Sequence, residues 1–290
     1  MVNATVPSVA PKICIREITE IDVDRVADLL VRGFPERGRR FWVQALACLA
    51  RHPTPAGFPK FGYQLESAGA PVGAILLISS QMPNGSIRCN VSSWYVEPLY
   101  RSCASFLAAR ALSHKNVTYL NITPAPHTRP IAQAQGYSQY SAGVFVAVPA
   151  LKFSGTTARV ATFDSRRDVE VEPFERGLLL EHAKYGCVSL WVATSDGGSP
   201  FVFRTRLIRG ILGCAQLIYC RDTADFVRYA GPIGRYLAMR GTPLVFVDAN
   251  GPIAGLAGKY FAGKMPRFFR GPDRPRLGDL AYTEAAMFGV

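Results

Sequence analysis

The stretch "WYVEPLYRSCASFLAARAL", Trp94–Leu112, decides how this chain is read. It reads as the end of a strand, a short turn and the start of a helix. The first turn of a helix leaves backbone amides unpaired, and its dipole favours an anion. Glycines usually line such a turn when a phosphate must approach the backbone closely. Here the corresponding residues are Ser102, Cys103, Ala104, Ser105 and Phe106. The stretch is therefore either a phosphate cradle with altered chemistry or an ordinary strand-helix corner.

Working outward, Ile13–Ile18 alternates and carries branched residues, as a strand does. Asp22 or Asp24 is placed to cap a helix that carries Val26, Leu29 and Leu30 on one face. Gly33 is expected to end that helix, with Pro35 just beyond. A second helix, "RRFWVQALACLARHP", stops at His52–Pro53. "FGYQLES" and "VGAILLISSQ" are strands joined at Ala68–Gly69–Ala70. "IRCNVSSWYV" follows the turn Pro83–Asn84–Gly85. After the central helix come the strand "VTYLNIT", a short helix "RPIAQAQ" closed by Gly136–Tyr137, and the strand "SAGVFVAVP". The order is β-α-α-β-β-β-α-β-α-β. Its central strand-helix-strand segment predicts a right-handed parallel crossover, and its front strands predict an antiparallel meander.

Residues 152–167, "KFSGTTARVATFDSRR", are polar and rich in Gly, Ser and Thr. They are expected to link a first domain, 1–151, to a second, 168–290. The second half repeats the element order without visible identity. "PFERGLLLEHAKYG" reads as a helix, and "CVSLWVATSD", "PFVFRTRLI" and "GILGCAQLIYCR" as strands. Asp222 or Thr223 caps a helix running to Arg240–Gly241, with a break expected at Gly231–Pro232. "PLVFVDAN" is a buried strand, and the glycine-rich Asp248–Lys264 after it is the kind of loop that borders sites in α/β folds. The remainder, "KYFAGKMPRFFRGPDRPRLGDLAYTEAAMF", is basic, aromatic and turn-rich. Within it Arg267 and Arg270 flank an aromatic pair; they either hold an acidic group or decorate a solvated loop.

Composition agrees with this class. The chain has 290 residues, enough for two ordinary domains. It is 49% hydrophobic and 19% charged, so it can bury a core. No apolar run approaches the roughly 20 residues of a membrane span. The start, "MVNATVPSVAPK", lacks the pattern of a secretory signal and reads as a frayed tail. Seven scattered cysteines without a CxxC pair read as reduced thiols of a cytoplasmic protein. The four histidines lack zinc-ligand spacing, so no metal is expected. The net charge of +12 suits a nucleic acid, a phosphate-bearing cofactor or an acidic substrate. Nucleic acid is not the expected partner, because no Lys/Arg block of five and no nucleic-acid-binding motif is present.

Residues 14–150 resemble the GNAT superfamily of acyl-CoA N-acyltransferases. The best match is "YVEPLYR": Val96, Pro98, Tyr100 and Arg101 fit a strand that ends in Val-x-Pro-x-Tyr-Arg. A second phrase agrees, a strand ending in Asn121 and a helix closed by Gly136–Tyr137. The resemblance implies two GNAT-like domains in an α/β (α+β) class, each a mixed, mostly antiparallel twisted sheet flanked by helices. It implies acetyl-CoA or another acyl-CoA as acyl donor, held by Tyr95, Val96, Arg101, Ser102, Cys103, Ala104, Ser105 and Asn121. The basic, glycine-bearing "RYAGPIGRYL" offers a second candidate phosphate turn at Arg228, Gly231 and Gly234. The acceptor implied is a small-molecule amine that attacks the thioester directly, and a homodimer fits the class. Such chemistry needs a base, an oxyanion donor and an acid for the thiolate. Glu97 is the candidate base, His127 an alternative proton acceptor, and Tyr137 a nearby phenol. The superfamily's usual acid position, four residues before the helix-ending glycine, holds Ala132 here. Phe106 stands where the superfamily's turn ends in a small residue. These two departures favour the rival reading, a non-catalytic acyl-CoA-binding or scaffold protein.

Overall fold

Strand β1 (Ile13–Glu17) and helix α1 (Val23–Gly33) meet through an ion pair rather than a helix cap. Asp22 is buried and accepts from the two terminal guanidinium nitrogens of Arg16 at 2.7 Å. It also accepts from the amide and hydroxyl of Thr19, at 3.0 and 2.8 Å. Its oxygens are thus committed, and the side chain caps nothing in α1. Gly33 ends α1, but not as a left-handed residue. A Cβ there would lie 2.3 Å from the Tyr95 ring, so the glycine makes room for that ring.

The computed structural model describes residues 13–153, 158–164, 170–195, 197–208 and 210–289. The chain forms two compact units, Met1–Ile78 with Val91–Lys115, and Ser79–Asn90 with Asn116–Val290. In the first unit, β1 pairs antiparallel with β2 (Gly62–Ser67), and β2 with β3 (Ala70–Gln81). Helices α1 and α2 (Arg39–Arg51) bury Val26, Leu29, Leu30, Trp42, Leu46 and Leu49. The run Val72–Ile78 of β3 is buried on both faces, which is why it reads as continuous apolar sequence. The unit also holds the end of β4 (Ile87–Val96) and α3 (Ala104–Ala111).

In the second unit, the start of β4 pairs in parallel with β5 (Val117–Asn121), over Ile87–Asn90. After α4 (Arg129–Ala134), strand β6 (Ser138–Ala147) is flanked on both sides by later strands. These are β11 (Leu244–Ala249) and β12 (Gly258–Arg270), both antiparallel to it. Strand β12 also pairs antiparallel with β5. The remaining strands follow in the order β11, β10 (Leu212–Cys220), β9 (Gly197–Ile208), β8 (Val188–Thr194) and β7 (Arg159–Thr162). Alternate residues of β8 serve two cores. Leu190 and Val192 pack toward α6 (Thr223–Ala238), while Trp191 packs with Leu178 and Leu179 of α5 (Pro173–Lys184). Strands β10 and β11 are parallel and joined by α6, as β4 and β5 are joined by α3. The β-α-β-β-β-α-β-β order of the first half recurs in the second without counterparts of α2 and α4, and β6 and β12, the last strand of each half, pair with each other.

Three expectations change. Residues 152–167 fall inside the second unit, and Arg159–Thr162 among them is an edge strand on β8; residues 154–157 and 165–167 lie outside the described residues. The turn-rich remainder contains β12, a strand of 13 residues. Its pairing is carried by backbone bonds, and Gly258–Lys264 is largely exposed, so no alternation marks it. Helix α6 does not break at Gly231–Pro232. Pro232 withholds one helical hydrogen bond, and both flanking turns remain helical.

Gly234 is buried where a Cβ would lie 2.1 Å from the Ala150 nitrogen. Gly234→Ala is expected to lower stability by about 2 kcal/mol, through overpacking. Gly177→Ala in α5, where a Cβ would meet nothing within 4 Å, is expected to raise it by about 0.5–1 kcal/mol. Urea denaturation measures both. The hydrogen-bonded Arg16 guanidinium holds the Asp22 carboxyl well below the usual carboxylate range. A carboxylate with a depressed folded-state pKa contributes fully above about pH 4 and loses its contribution as pH falls further. Asp22→Asn should therefore be less stable than the parent at pH 7, with the gap closing between about pH 4 and pH 2.

Candidate functional site

The end of β4 is anchored before it turns. Val96 is buried, and the amide of Glu97 donates to the Val72 carbonyl at 2.8 Å. Gly73 lets the two strands come close, since a Cβ there would lie 3.0 Å from Val96. The Tyr95 ring lies over Gly33 and near Phe34, with ring centres 6.3 Å apart. Glu97 then leaves the strand and meets Arg32 of α1 at 2.9 Å.

Pro98–Cys103 is a 3-10 turn that runs directly into α3. The winding uses amides that an open cradle would offer. Tyr100 donates to the Glu97 carbonyl at 2.9 Å, and Ala104 donates to that of Arg101. Arg101, Ser102 and Ser105 are exposed; Cys103 and Ala104 are half-buried. Leu107, Ala108 and Ala111 seat α3 on the core. Phe106 is 65% exposed, so its ring is not part of the core. Leu99, in the 3-10 turn, is 90% exposed. The turn thus presents a guanidinium, two hydroxyls and two apolar side chains to solvent.

Tyr95, Val96, Glu97 and Arg101–Ser105 are gathered on this one corner of the first unit. The other candidates belong to the second unit. Asn121 ends β5, opposite Phe268 of β12. His127 is exposed in the 3-10 turn Pro126–Thr128. Tyr137 is buried, and burial foremost pushes its hydroxyl above the ordinary phenol range. Its phenol is enclosed rather than presented to solvent. Ala132 is buried in α4, so no acid stands at that position.

Arg228, Gly231 and Gly234 do not form a phosphate turn. They lie within α6, Arg228 exposed and both glycines buried. The strand-helix turn of the second repeat comes earlier, after Cys220. There the Asp222 side chain accepts from the Ala224 amide at 2.9 Å and closes the helix start. The aspartate cap occupies one of the amides that an incoming anion would need and places a negative charge there. Gly234 serves close packing against Pro149 and Ala150.

Sequence reasoning missed a buried polar cluster in the second unit. Arg267, read as either an acid holder or part of a solvated loop, is 1% exposed. Its guanidinium pairs with Asp248 of β11 at 2.9 and 3.1 Å, and also donates to the Ile122 carbonyl. Gly263 and Met265 adopt positive φ, and the pairing with β6 slips between Ala262 and Arg267. That bulge turns Arg267 inward. Arg88 of β4 pairs with Asp279 at 3.0 and 3.3 Å and donates to the Ala281 carbonyl at 2.8 Å. Tyr140 is buried, and its hydroxyl has no partner among the described residues. The only prior signal was charge placed against apolar runs, such as Asp248 closing "PLVFVDAN". No group of metal-ligating side chains suited to an ion occurs among the described residues, and no helix there is long and apolar enough to cross a membrane.

These features define a class. The chain has the fold of the GCN5-related N-acetyltransferases. It is similar over 93% of its length to 93% of a putative acetyltransferase from Pyrococcus horikoshii, with a TM-score of 0.57 and 11% identity. It is similar, at a TM-score of 0.58 and 11% identity, to a GCN5-related N-acetyltransferase from Anabaena variabilis, covering 89% of this chain and 72% of that one. A probable N-acyltransferase from Enterococcus faecalis matches at 0.58 and 11%, covering 93% and 73%. No family model matches the sequence, and no curated protein does.

Removing one partner of the buried pair leaves an uncompensated charge. Asp248→Leu is expected to cost about 3–5 kcal/mol, and the double variant Asp248→Leu/Arg267→Met to recover most of that loss. Urea denaturation of the single and double variants measures the coupling.

Proposed function

We propose that the protein transfers an acyl group from acyl-CoA to the amine of a small molecule in the cytoplasm. The observation that carries this reading is the strand-turn-helix at Val96–Ala111, set in a fold shared along nearly the whole chain with acetyltransferases. Seven free cysteines suit a reducing compartment.

In this reading the acceptor nitrogen attacks the thioester carbonyl. The N–C bond forms, the C–S bond breaks with CoA leaving as its thiolate, and the nitrogen gives up a proton to the Glu97 carboxylate. Glu97 is the base, because it stands at the strand end with its carboxylate 26% exposed and oriented by Arg32. Arg101 and the hydroxyls of Ser102 and Ser105 supply the donors for the diphosphate. The 3-10 winding supports a second reading, an acyl-CoA binder without catalysis. It leaves the turn dependent on side chains where the superfamily uses backbone amides.

Acetyl-CoA and a longer acyl-CoA are expected to raise the melting temperature; about 2.7 kcal/mol of stabilisation accompanies a ligand at one hundred times its Kd. Absence of any shift sinks both readings. Arg101→Ala should weaken CoA binding by about tenfold or more, the loss of a charge-assisted hydrogen bond. Release of free CoA with a panel of amines separates enzyme from binder. Glu97→Gln should lower kcat by about 10²–10⁴ while leaving CoA binding intact.

A further inference from the structure

A pocket of about 480 Å³ opens in the second unit at the carboxyl end of β10. Its size lies in the range of small-molecule sites, about 300–1,000 Å³. Phe174 and Tyr219 give it aromatic walls. Five charged side chains line it, and most of their hydrogen-bonding capacity is already used.

Glu175 is buried and fully engaged. It accepts from Arg221 at 2.7 and 2.6 Å and from the Tyr219 hydroxyl at 3.2 Å. Asp279 takes Arg88 from behind the wall, and its oxygen also accepts from the Ala281 amide. These two carboxylates are neutralised by Arg221 and Arg88. That leaves Arg276 and Glu172 as the charges of opposite sign without a full partner.

Arg276 is held in place but not consumed. It stacks over the Tyr219 ring at 4.9 Å and donates to the Cys220 carbonyl. Its distance to Asp279 is 3.6 Å, longer than the 2.6–3.0 Å contacts of Arg221 and Arg88, and its side chain is 39% exposed. A guanidinium has five N–H donors, so several remain for a ligand. Glu172 is exposed and caps α5, with one oxygen accepting from the Glu175 amide at 3.1 Å. Its other oxygen has no partner among the described residues.

We propose that this pocket binds a small zwitterion of the amino-acid type, its carboxylate on Arg276, its ammonium on Glu172 and its apolar body against Phe174 and Tyr219. A dianion would meet Glu172 and Asp279, and a dication would meet Arg276 and Arg221. A neutral apolar molecule would cover the Glu172 carboxylate and the loosely paired Arg276 guanidinium at a cost. Only a ligand with both signs satisfies each. The proposal stands apart from acyl transfer, so a protein that binds no CoA can still meet it.

The test is calorimetric titration of the full chain, without acyl-CoA, using L-phenylalanine, L-leucine, 3-phenylpropionate and 2-phenylethylamine. At least one amino acid is expected to saturate, about tenfold tighter than either singly charged analogue. Arg276→Gln should erase the advantage over 2-phenylethylamine. Glu172→Gln, which keeps the helix cap, should erase the advantage over 3-phenylpropionate. If one variant fails to fold, the other still decides. The proposal is overturned if neither amino acid saturates by about 10 mM, if a single-charge analogue binds as tightly, or if a folded variant leaves amino-acid affinity unchanged.

Discussion

The second unit depends on the buried pairing of Arg267 with Asp248. The two residues lie on β12 and β11, the strands that flank β6 on either side. Neither charge tolerates isolation at 2–3% exposure. A one-residue slip of β12 would move Arg267 to the opposite face and strand Asp248. The pair therefore sets the register of a strand whose exposed first half offers little hydrophobic guidance. The bulge at Gly263–Pro266 is the backbone device that permits it, with Met265 accepting a positive φ to aim the next residues inward.

The same economy governs the two strand-helix turns. In each repeat a parallel strand pair encloses a helix, and the helix start faces the carboxyl end of its strand. The second turn is closed by its own aspartate. The first has no such cap, yet winds its amides into a 3-10 turn and leaves Arg101, Ser102 and Ser105 outside. The second turn therefore has a capped helix start. The other keeps a polar, solvent-facing corner beside Glu97.

Beyond the capped turn, the second repeat uses its strand end differently. Tyr219 and Arg221 leave β10 toward Glu175, and Asp279 returns along the strand through a bridge to Tyr219. Asp279 ties the C-terminal segment to Arg88 of β4, and backbone hydrogen bonds of Cys220 to Gly278 and of Leu280 to Ile218 hold it against β10. These contacts also leave Glu172 and the loosely paired Arg276 among the residues that line the pocket.

Much of the fold was legible in the sequence because periodicity and turn chemistry are local. The strand pattern of Ile13–Ile18 and the apolar faces of α1 and α2 follow from spacing within a few residues, while the phrase Val96–Arg101 was legible through its resemblance to a family motif. The sequence offered Asp222 or Thr223 as the cap of α6, and the structure uses Asp222. What only the tertiary structure decided involves partners far apart in the chain. Gly33 was placed for the ring of Tyr95, and Gly234 for the backbone at Ala150. Arg267 needed Asp248, and Arg88 needed Asp279, 191 positions away. Strand β12 is defined by backbone bonds to β5 and β6 rather than by its own side chains. Local pattern reports which face a residue can turn inward; the identity of what meets it there is settled by chain topology.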